Sequence, residues 1–310
     1  MPGEVQEGAQ GIALAVDIGG TSMRVGLVDS GGAVERLQKE RIMARSPGEV
    51  LGQLKTMVAG LEVSGDLPMG IGLPAELVPS TGEVVCAPNL GWRDVPFAKL
   101  AREGLARPVT IINDLNAITL GEVTVGAARG CADVLCVYVG TGLGMGIVSA
   151  GELVLGSNGF AGELGHVKVD SSGTGRRCGC GDRGCLEAYV SGGHLSGLYE
   201  EKTGAPLATP MQSHEIEAAA YGGEGVALEL WEETSDHLAW GIMNAVTLLN
   251  PERVVLGGGV LEAAPLLREQ VKNKIPEMSQ RRAIQSLQIV SAACGDEAGV
   301  IGAGLMALGA

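Results

Sequence analysis

The residues with the clearest chemistry in this sequence are three cysteines, Cys178, Cys180 and Cys185. They lie inside one glycine-rich segment of eight residues. Thiolates at this spacing are typical of a metal site, and His166 upstream offers a nitrogen ligand. Three cysteines and one histidine suit tetrahedral, structural Zn²⁺, because four protein ligands leave no open position for a reacting water. The sequence therefore predicts a zinc knuckle at residues 178–185, against the alternative that the cysteines only pack.

Two glutamates flank the knuckle. Glu163 lies three residues before His166, and Glu187 lies two residues after Cys185. A folded knuckle would fix both carboxylates in space, where with His166 they could accept hydrogen bonds from adjacent sugar hydroxyls. The alternative is that each glutamate is a solvated surface acid, which is the usual state of this residue.

Two glycine-rich segments follow apolar runs and could cradle phosphate groups. The first is Asp17-Ile18-Gly19-Gly20-Thr21, followed by Ser22, and the second is Gly140-Thr141-Gly142-Leu143-Gly144. Glycine lets backbone N–H groups face a phosphate with no side chain between, and threonine adds a hydroxyl donor. Each segment leads into another strand, so neither matches the P-loop or the dinucleotide-binding fingerprint. Either segment alone could equally be an ordinary glycine-rich hairpin.

The two glycine-rich segments belong to a longer repeat. A shift of 120 positions aligns Gly20-Thr21 with Gly140-Thr141 and Gly26 with Gly146. Repetition at one offset favours a binding role over chance and predicts two lobes of related architecture that could hold a phosphate chain from both sides. Asp17, at the end of an apolar run, could orient Mg²⁺ or its water shell.

Asn113 and Asp114 directly follow an apolar run at residues 109–112, at the sheet edge where α/β proteins bind ligands. An aspartate there could take a proton from an attacking hydroxyl. That this pair instead caps a helix over residues 115–122 is equally open. Asn89 lies in a loop beside Trp92 that could reach the same site.

Apolar strands alternate with helical patterns along the chain, which predicts an α/β fold. Strands are predicted at residues 12–16, 25–28, 69–73, 109–112, 134–139 and 253–256, and helical spacing occurs at 43–61, 229–249 and 298–308. The turn Gly257-Gly258-Gly259 follows the strand at 253–256. From the repeat we expect a small lobe at residues 1–118, completed by a C-terminal helix at 297–310, and a large lobe at 119–296.

Composition excludes several classes of protein. The 310 residues include 50 glycines, nearly one residue in six, whereas the average glycine content of proteins is about 7%. The glycines follow no three-residue period and lie among apolar runs. This excludes collagen and flexible linkers. The net charge of −14, without clustered Lys or Arg, argues against nucleic acid, and no run is apolar enough to span a membrane. We expect a cytoplasmic protein whose other cysteines, Cys86, Cys131, Cys136 and Cys294, are packing residues.

Taken together, these motifs resemble the ROK family of sugar kinases and repressors, from about residue 12 to the segment Gly295-Asp296-Glu297-Ala298-Gly299. The cysteine knuckle with its upstream Glu-x-x-His is the most specific part of the resemblance. The resemblance implies a two-lobed, actin-like ATPase (ribonuclease H-like) fold with a mixed sheet in each lobe, and with sugar and ATP bound in the cleft. The sequence departs from the commoner family pattern at Ser22, Leu115 and Met145.

The resemblance also implies roles for individual residues. Asp114 matches the catalytic base. The sugar-contacting positions are Asn89, Asn113, Asp114, Glu163, His166 and Glu187. The zinc ligands are His166, Cys178, Cys180 and Cys185. The ATP-binding motifs cover Asp17, Gly19, Gly20, Thr21, Ser22, Gly140, Thr141, Gly142, Gly144 and Gly258.

The reaction expected from this resemblance is ATP- and Mg²⁺-dependent phosphorylation of a hexose at its primary hydroxyl, with glucose as the first choice. Fructose, N-acetylglucosamine and N-acetylmannosamine are alternative substrates. A sugar-responsive regulator without catalysis is an alternative of another class, which Asp114 and the two glycine-rich segments disfavour. For a DNA-binding repressor of the same family, we expect the 16 residues before Asp17 to be too few for a winged helix-turn-helix. The family also suggests a homodimer or a dimer of dimers.

Overall fold

The computed structural model describes residues 11–63, 66–278 and 282–309. The strands are β1 Ile12–Ile18, β2 Ser22–Asp29, β3 Val34–Arg41, β4 Met69–Leu73, β5 Glu76–Leu77, β6 Val84–Ala87, β7 Trp92–Val95, β8 Val109–Asn113, β9 Val134–Val139, β10 Leu143–Ser149, β11 Glu152–Leu153, β12 Arg253–Gly257 and β13 Gln288–Ser291. The helices are α1 Pro47–Gly60, α2 Phe97–Leu105, α3 Asp114–Thr124, α4 Glu187–Val190, α5 Gly192–Thr203, α6 Ser213–Tyr221, α7 Gly225–Leu249, α8 Gly259–Ala263, α9 Pro265–Glu277, α10 Arg282–Gln285 and α11 Ala298–Ala307. Short 3₁₀ helices lie at Leu164–His166 and Gly295–Glu297.

These elements form two compact units. The first unit contains the described residues up to Arg129, the segment Leu155–Phe160 and the chain from Cys294 onward. The second unit contains Gly130–Val154 and Ala161–Ala293. Helix α11 therefore belongs to the same unit as β1–β8 and α1–α3.

The first unit is built on a mixed five-stranded sheet in the order β3-β2-β1-β4-β8. Strands β1 and β2 form an antiparallel hairpin, whereas β1, β4 and β8 run parallel. In this register Asp17 pairs with Gly72, and Leu73 pairs with Asn113. Since the carboxyl ends of parallel strands meet at one edge of a sheet, Asp17 and the Asn113-Asp114 pair reach the same edge.

The second unit repeats this sheet, in the order β11-β10-β9-β12-β13, with the same antiparallel and parallel pairings. The predicted duplication is therefore confirmed. The hairpin turns differ in length, because Ile18 pairs with Met23 but Val139 pairs with Leu143, which makes the second turn one residue shorter.

The glycine-rich turns are tighter than the sequence pattern predicts. Strand β1 continues through Ile18 and β2 begins at Ser22, while residues 143–146 belong to β10 instead of a loop. Gly144 and Gly146 pair with Tyr138 and Cys136 in the ladder, so inter-strand hydrogen bonding overrides the weak strand preference of glycine.

Helix α1 is shorter than the helical spacing at residues 43–61 indicates. It starts at Pro47 because the Ser46 side chain accepts a hydrogen bond from the Glu49 N–H and proline suits the first helical position. The helix ends at Gly60, and residues 43–45 lie outside it.

Glycines allow α11 to touch its neighbours backbone to backbone. A Cβ atom built at Gly302 would lie 1.7 Å from the carbonyl oxygen of Ala117 in α3. One built at Gly70 in β4 would lie 1.7 Å from the carbonyl oxygen of Ala303. Both distances are far inside van der Waals contact, so these positions admit glycine only. Part of the high glycine content is therefore explained by the close packing of the C-terminal helix α11 against α3 and β4.

The core of the second unit forms around the 25-residue helix α7. The fully buried Trp231 donates its indole N–H to Glu217, 2.7 Å away, and the other carboxylate oxygen of Glu217 accepts the Leu266 N–H at 2.6 Å. This buried carboxylate links α6, α7 and the start of α9.

Among the described residues, no helix combines the length and the apolar character that a membrane span requires.

Replacing Gly302 with alanine tests the backbone contact of α11. We expect Gly302→Ala to lower the free energy of unfolding by about 1–3 kcal/mol or more, because α11 and α3 must separate to admit the methyl group. The matched control is Gly52→Ala in the middle of α1, where a Cβ meets nothing within 4 Å; it should raise stability by roughly 0.5–1 kcal/mol. Denaturant unfolding of both variants measures the difference, and equal stabilities would show that α11 is not seated this way.

Candidate functional site

The first glycine turn, residues 19–22, is closed by a hydrogen bond from the Gly19 N–H to the Ser22 carbonyl, at 2.8 Å. A Cβ built at Gly20 would lie 3.4 Å from Cβ of Asn89, so the loop that carries Asn89 rests against this turn. Arg45 joins the two segments, donating to the carbonyl oxygens of Asn89 and Gly20 at 3.1 and 3.4 Å. A residue expected to contact sugar thus lies beside one of the expected phosphate turns.

The Asp17 carboxylate, just before this turn, is held by a cross-strand ion pair. Arg24, its direct partner on β2, donates to Asp17 Oδ2 at 2.9 Å and to Asp296 Oδ2 at 3.0 Å. Lys39 on β3 also faces Asp296, at 3.5 Å. Burial raises the pKa of the Asp17 carboxyl, while the Arg24 guanidinium opposes that rise. Arg24 was not predicted from the sequence, although its position across the hairpin from Asp17 indicates such a contact.

Asn113 fills the capping role that was one of the two hypotheses for this pair, and Asp114 follows it as the first residue of α3. Asn113 is the N-cap of α3: its Oδ1 accepts the Asn116 N–H, and its Nδ2 donates to the Ala75 carbonyl, both at 3.2 Å. Asp114 is the first residue of the helix, is half-buried, and accepts the Leu115 N–H at 2.9 Å. A carboxylate in the first turn of a helix interacts favourably with the helix dipole.

The second glycine turn, residues 140–142, lies in the other unit and is also closed by one hydrogen bond, from the Gly140 N–H to the Gly142 carbonyl at 2.9 Å. Gly258 lies beside it with a φ of +91°, and a Cβ there would come within 2.5–2.8 Å of three backbone atoms of Val139. Only glycine fits such a position. The Met145 side chain is buried in the core of the unit, so this departure from the family pattern does not occupy the turn.

The four predicted metal ligands come together. Their ligand atoms all lie within 4.8 Å of one another. The separation is 3.8 Å between the sulfurs of Cys180 and Cys185, and 3.7 Å between Cys178 Sγ and His166 Nδ1. In a tetrahedral zinc site with Zn–S bonds of about 2.3 Å, two sulfurs lie about 3.8 Å apart. The geometry and the soft donor set both fit Zn²⁺.

The expected sugar-contacting groups of the second unit surround this cluster. Glu163 Oε2 lies 3.6 Å from His166 Nε2, the ring nitrogen that does not face the cysteines. Glu187 Oε1 lies 3.6 Å from Cys178 Sγ, and its Oε2 accepts the Leu143 N–H at 2.9 Å. Glu187 therefore contacts the residue directly after the second glycine turn as well as the knuckle, a contact that was not predicted from the sequence.

Lys168 is a further residue at the knuckle, and it was not predicted from the sequence. It pairs with Cys185 across an isolated β-bridge and donates to Cys185 Sγ at 3.1 Å and to Asp182 at 2.9 Å. These hydrogen bonds raise the pKa of Lys168. Partners of this kind orient metal ligands and stabilise their thiolate form.

The candidate site residues thus form one group in each unit. The first unit holds Asp17, Gly19, Gly20, Thr21, Ser22, Asn89, Asn113 and Asp114. The second unit holds Gly140, Thr141, Gly142, Gly144, Glu163, His166, Cys178, Cys180, Cys185, Glu187 and Gly258.

Comparison with known proteins gives consistent matches over most of the chain. A sequence model of the ROK family matches residues 13–310. A glucokinase of Halalkalibacterium halodurans is 33% identical over 309 residues, which cover 94% of this chain and 93% of that protein. The xylose repressor of Bacillus subtilis is 25% identical over 298 residues, which cover 94% of this chain and 76% of the repressor.

Among solved structures, a ROK family glucokinase from Streptomyces griseus in complex with glucose and AMPPNP matches with a TM-score of 0.83 and 29% identity, over 97% of this chain and 100% of that chain. This likeness and the two mixed sheets confirm the expected fold class, the two-lobed actin-like ATPase fold.

Proposed function

Because the chain belongs to the ROK family, we propose that it is an ATP-dependent kinase that phosphorylates the primary hydroxyl of a hexose, and that the hexose is glucose. The observation that carries the proposal is the position of Asp114, a half-buried carboxylate at the sheet edge that also carries the first glycine turn. Support for glucose comes from the glucokinase of H. halodurans and from the S. griseus enzyme, whose structure contains glucose and AMPPNP.

In the proposed reaction, Asp114 takes the proton from the sugar hydroxyl as that oxygen attacks the γ-phosphorus in line. A new P–O bond forms to the sugar, the bond from the γ-phosphorus to the bridging oxygen breaks, and ADP leaves. Asn113, fixed as the helix cap, and Asn89, beside the first turn, would orient the sugar hydroxyls.

The glycine turns would hold the phosphate oxygens. The backbone N–H groups of Gly20, Thr21, Thr141 and Gly142 and the exposed hydroxyls of the two threonines are the donors proposed for this purpose. Gly258 would admit the nucleoside side of ATP close to the backbone. Bound Mg²⁺ supplies positive charge to the phosphates; Asp17, whose Oδ2 is already paired with Arg24, fits a role in orienting the water shell of that ion.

Zinc would have a structural role. His166 Nδ1 and the sulfurs of Cys178, Cys180 and Cys185 would hold it, and four protein ligands leave no position for a reacting water. The opposite ring nitrogen of His166, with the carboxylates of Glu163 and Glu187 beside it, would then contact sugar hydroxyls.

A panel of sugars tests the proposed function. We expect ADP release to be stimulated by glucose more than by fructose, N-acetylglucosamine or N-acetylmannosamine, with glucose 6-phosphate as the product. If sugars bind but none stimulates ADP release, the chain is a sugar-responsive regulator, as its similarity to a xylose repressor would then suggest.

Replacing the proposed base tests the mechanism. We expect Asp114→Asn to lower kcat by about 10²–10⁴-fold while sugar affinity changes little, because the amide cannot accept the hydroxyl proton. Asp94→Asn, at an exposed position on β7, is the control and should keep wild-type turnover. Turnover of Asp114→Asn within the range of that control would rule out Asp114 as the base.

Metal analysis tests the knuckle. We expect about one zinc per purified chain, bound through four ligands. Cys180→Ser should lose this zinc, and because Cys180 is exposed the exchange opens no cavity in the core. Cys131→Ser, at a half-buried cysteine of the same unit, should retain zinc. A wild-type protein that is active and contains no metal would contradict the assignment.

A further inference from the structure

The chain that leaves the knuckle runs alongside the second glycine turn. Three hydrogen bonds join them: the Leu143 N–H donates to Glu187 Oε2 at 2.9 Å, the Gly192 N–H to the Gly140 carbonyl at 2.8 Å, and the Gly193 N–H to the Thr141 carbonyl at 3.0 Å. Each residue of the turn 140–142 therefore either bonds segment 187–193 or is next in sequence to a residue that does. That segment starts two residues after Cys185.

Glu187 links the knuckle to the second glycine turn, because its two carboxylate oxygens have different partners. Oε2 bonds the backbone at the end of the turn, and Oε1 lies 3.6 Å from Cys178 Sγ. The fit is close: a Cβ at Gly142 would lie 2.6 Å from Glu187 Oε2, and one at Gly165 would lie 2.4 Å from the Leu143 carbonyl. A displacement of the knuckle must therefore move Glu187 against the turn.

The first glycine turn provides an internal comparison, because it repeats the hairpin and no group of metal ligands lies beside it in the part of the chain that the structure describes. Its carboxylate, Asp17, comes from the preceding strand and is held by Arg24. In the second hairpin the residue that occupies this register position is Tyr138, which pairs with Gly144 as Asp17 pairs with Arg24. The second turn thus has no carboxylate of its own strand, and Glu187 supplies one from beside the knuckle.

We propose that metal binding at the knuckle and nucleotide binding at the second glycine turn are thermodynamically coupled, with Glu187 as the positioning residue that transmits the coupling. The inference rests on the proposed role of this turn in binding ATP. A filled knuckle holds Cys178 and Cys185 in one place, fixes Glu187 between them and the turn, and so presets the backbone N–H groups that receive phosphate. By linkage, nucleotide must strengthen metal binding by the same factor.

Binding measurements in both directions test the coupling. The affinity for AMPPNP with Mg²⁺ is measured by calorimetry on the zinc-loaded and the chelator-treated protein, and we expect it to fall by about 5–150-fold without zinc. In the reverse direction, zinc transfer from the holoprotein to a chromophoric chelator is followed with and without saturating AMPPNP. The zinc affinity should rise by the same factor when nucleotide is present.

Variants of Glu187 separate transmission from general stabilisation. In Glu187→Ala the two affinities should become independent to within about twofold, whereas Glu187→Gln, which keeps an oxygen acceptor for the Leu143 N–H, should retain a dependence of about threefold or more. The matched control is Glu252→Gln: Glu252 accepts the backbone N–H groups of Ala132 and Asp133 at the opposite end of β9. Its coupling should equal that of the wild type.

The possible outcomes are distinct. A zinc-loaded wild type that binds no AMPPNP would overturn the proposed function itself. Binding of AMPPNP with equal affinity in both metal states, or coupling that survives unchanged in Glu187→Ala, would overturn this inference and leave the kinase proposal standing. If chelation unfolds the chain, amide exchange rises at the first turn as well as the second, and the transfer experiment on the holoprotein then decides.

Discussion

The arrangement of the candidate site depends on one constraint, the pairing of an antiparallel hairpin with two strands that run parallel to its first strand. In the first unit β1, β4 and β8 end at one edge, and the hairpin turn after β1 necessarily lies at that edge too. In the second unit β9, β12 and β13 repeat the arrangement. Backbone hydrogen bonding thus gathers a glycine turn and the ends of its neighbouring strands before any side chain is considered.

The same backbone then carries different chemistry in its two copies. In the first, Asp17 is paired with Arg24, and Asp296 from the segment before α11 completes the ion pair. In the second, the turn is supported by Glu187 and by the start of α5, both of which follow the knuckle in the chain. Since the sheets are alike, the difference between the two sites lies in the groups that support each turn: the hairpin's own Asp17 and Arg24 in the first, and a carboxylate and backbone N–H groups from outside the hairpin in the second.

Close approach of backbones explains why so many small residues are needed. Helix α11 touches α3 at Gly302 and β4 at Gly70, and Gly299 in its first turn lies against the Asp17 carboxylate. A helix N-terminus beside a carboxylate is electrostatically favourable. The helix that closes the first unit therefore also helps to position the charge next to the first glycine turn.

The sequence by itself determined those features that depend on neighbouring residues. The cysteines of the knuckle and the two glycine hairpins follow from local spacing, because a turn or a cluster of ligands is built within a few residues. The cap at Asn113-Asp114 was one of two hypotheses that local spacing left open. The glycine turns are shorter in the structure than the sequence predicts. The reason is that the pairing of residues such as Gly144 is decided by the partner strand and not by the strand propensity of glycine.

Only the tertiary structure decided which distant side chains meet. Three contacts join segments whose spatial proximity cannot be inferred from their positions in the sequence. They are the ion pair of Arg24 with Asp296, the hydrogen bond of Lys168 to Cys185, and the contacts of Glu187 with both Leu143 and Cys178. Local patterns fix periodicity and turn chemistry, whereas these contacts depend on strand register and on how a helix is seated against a sheet. The chemistry of the residues is therefore readable from the sequence, and their partners are set by the packing of the folded chain.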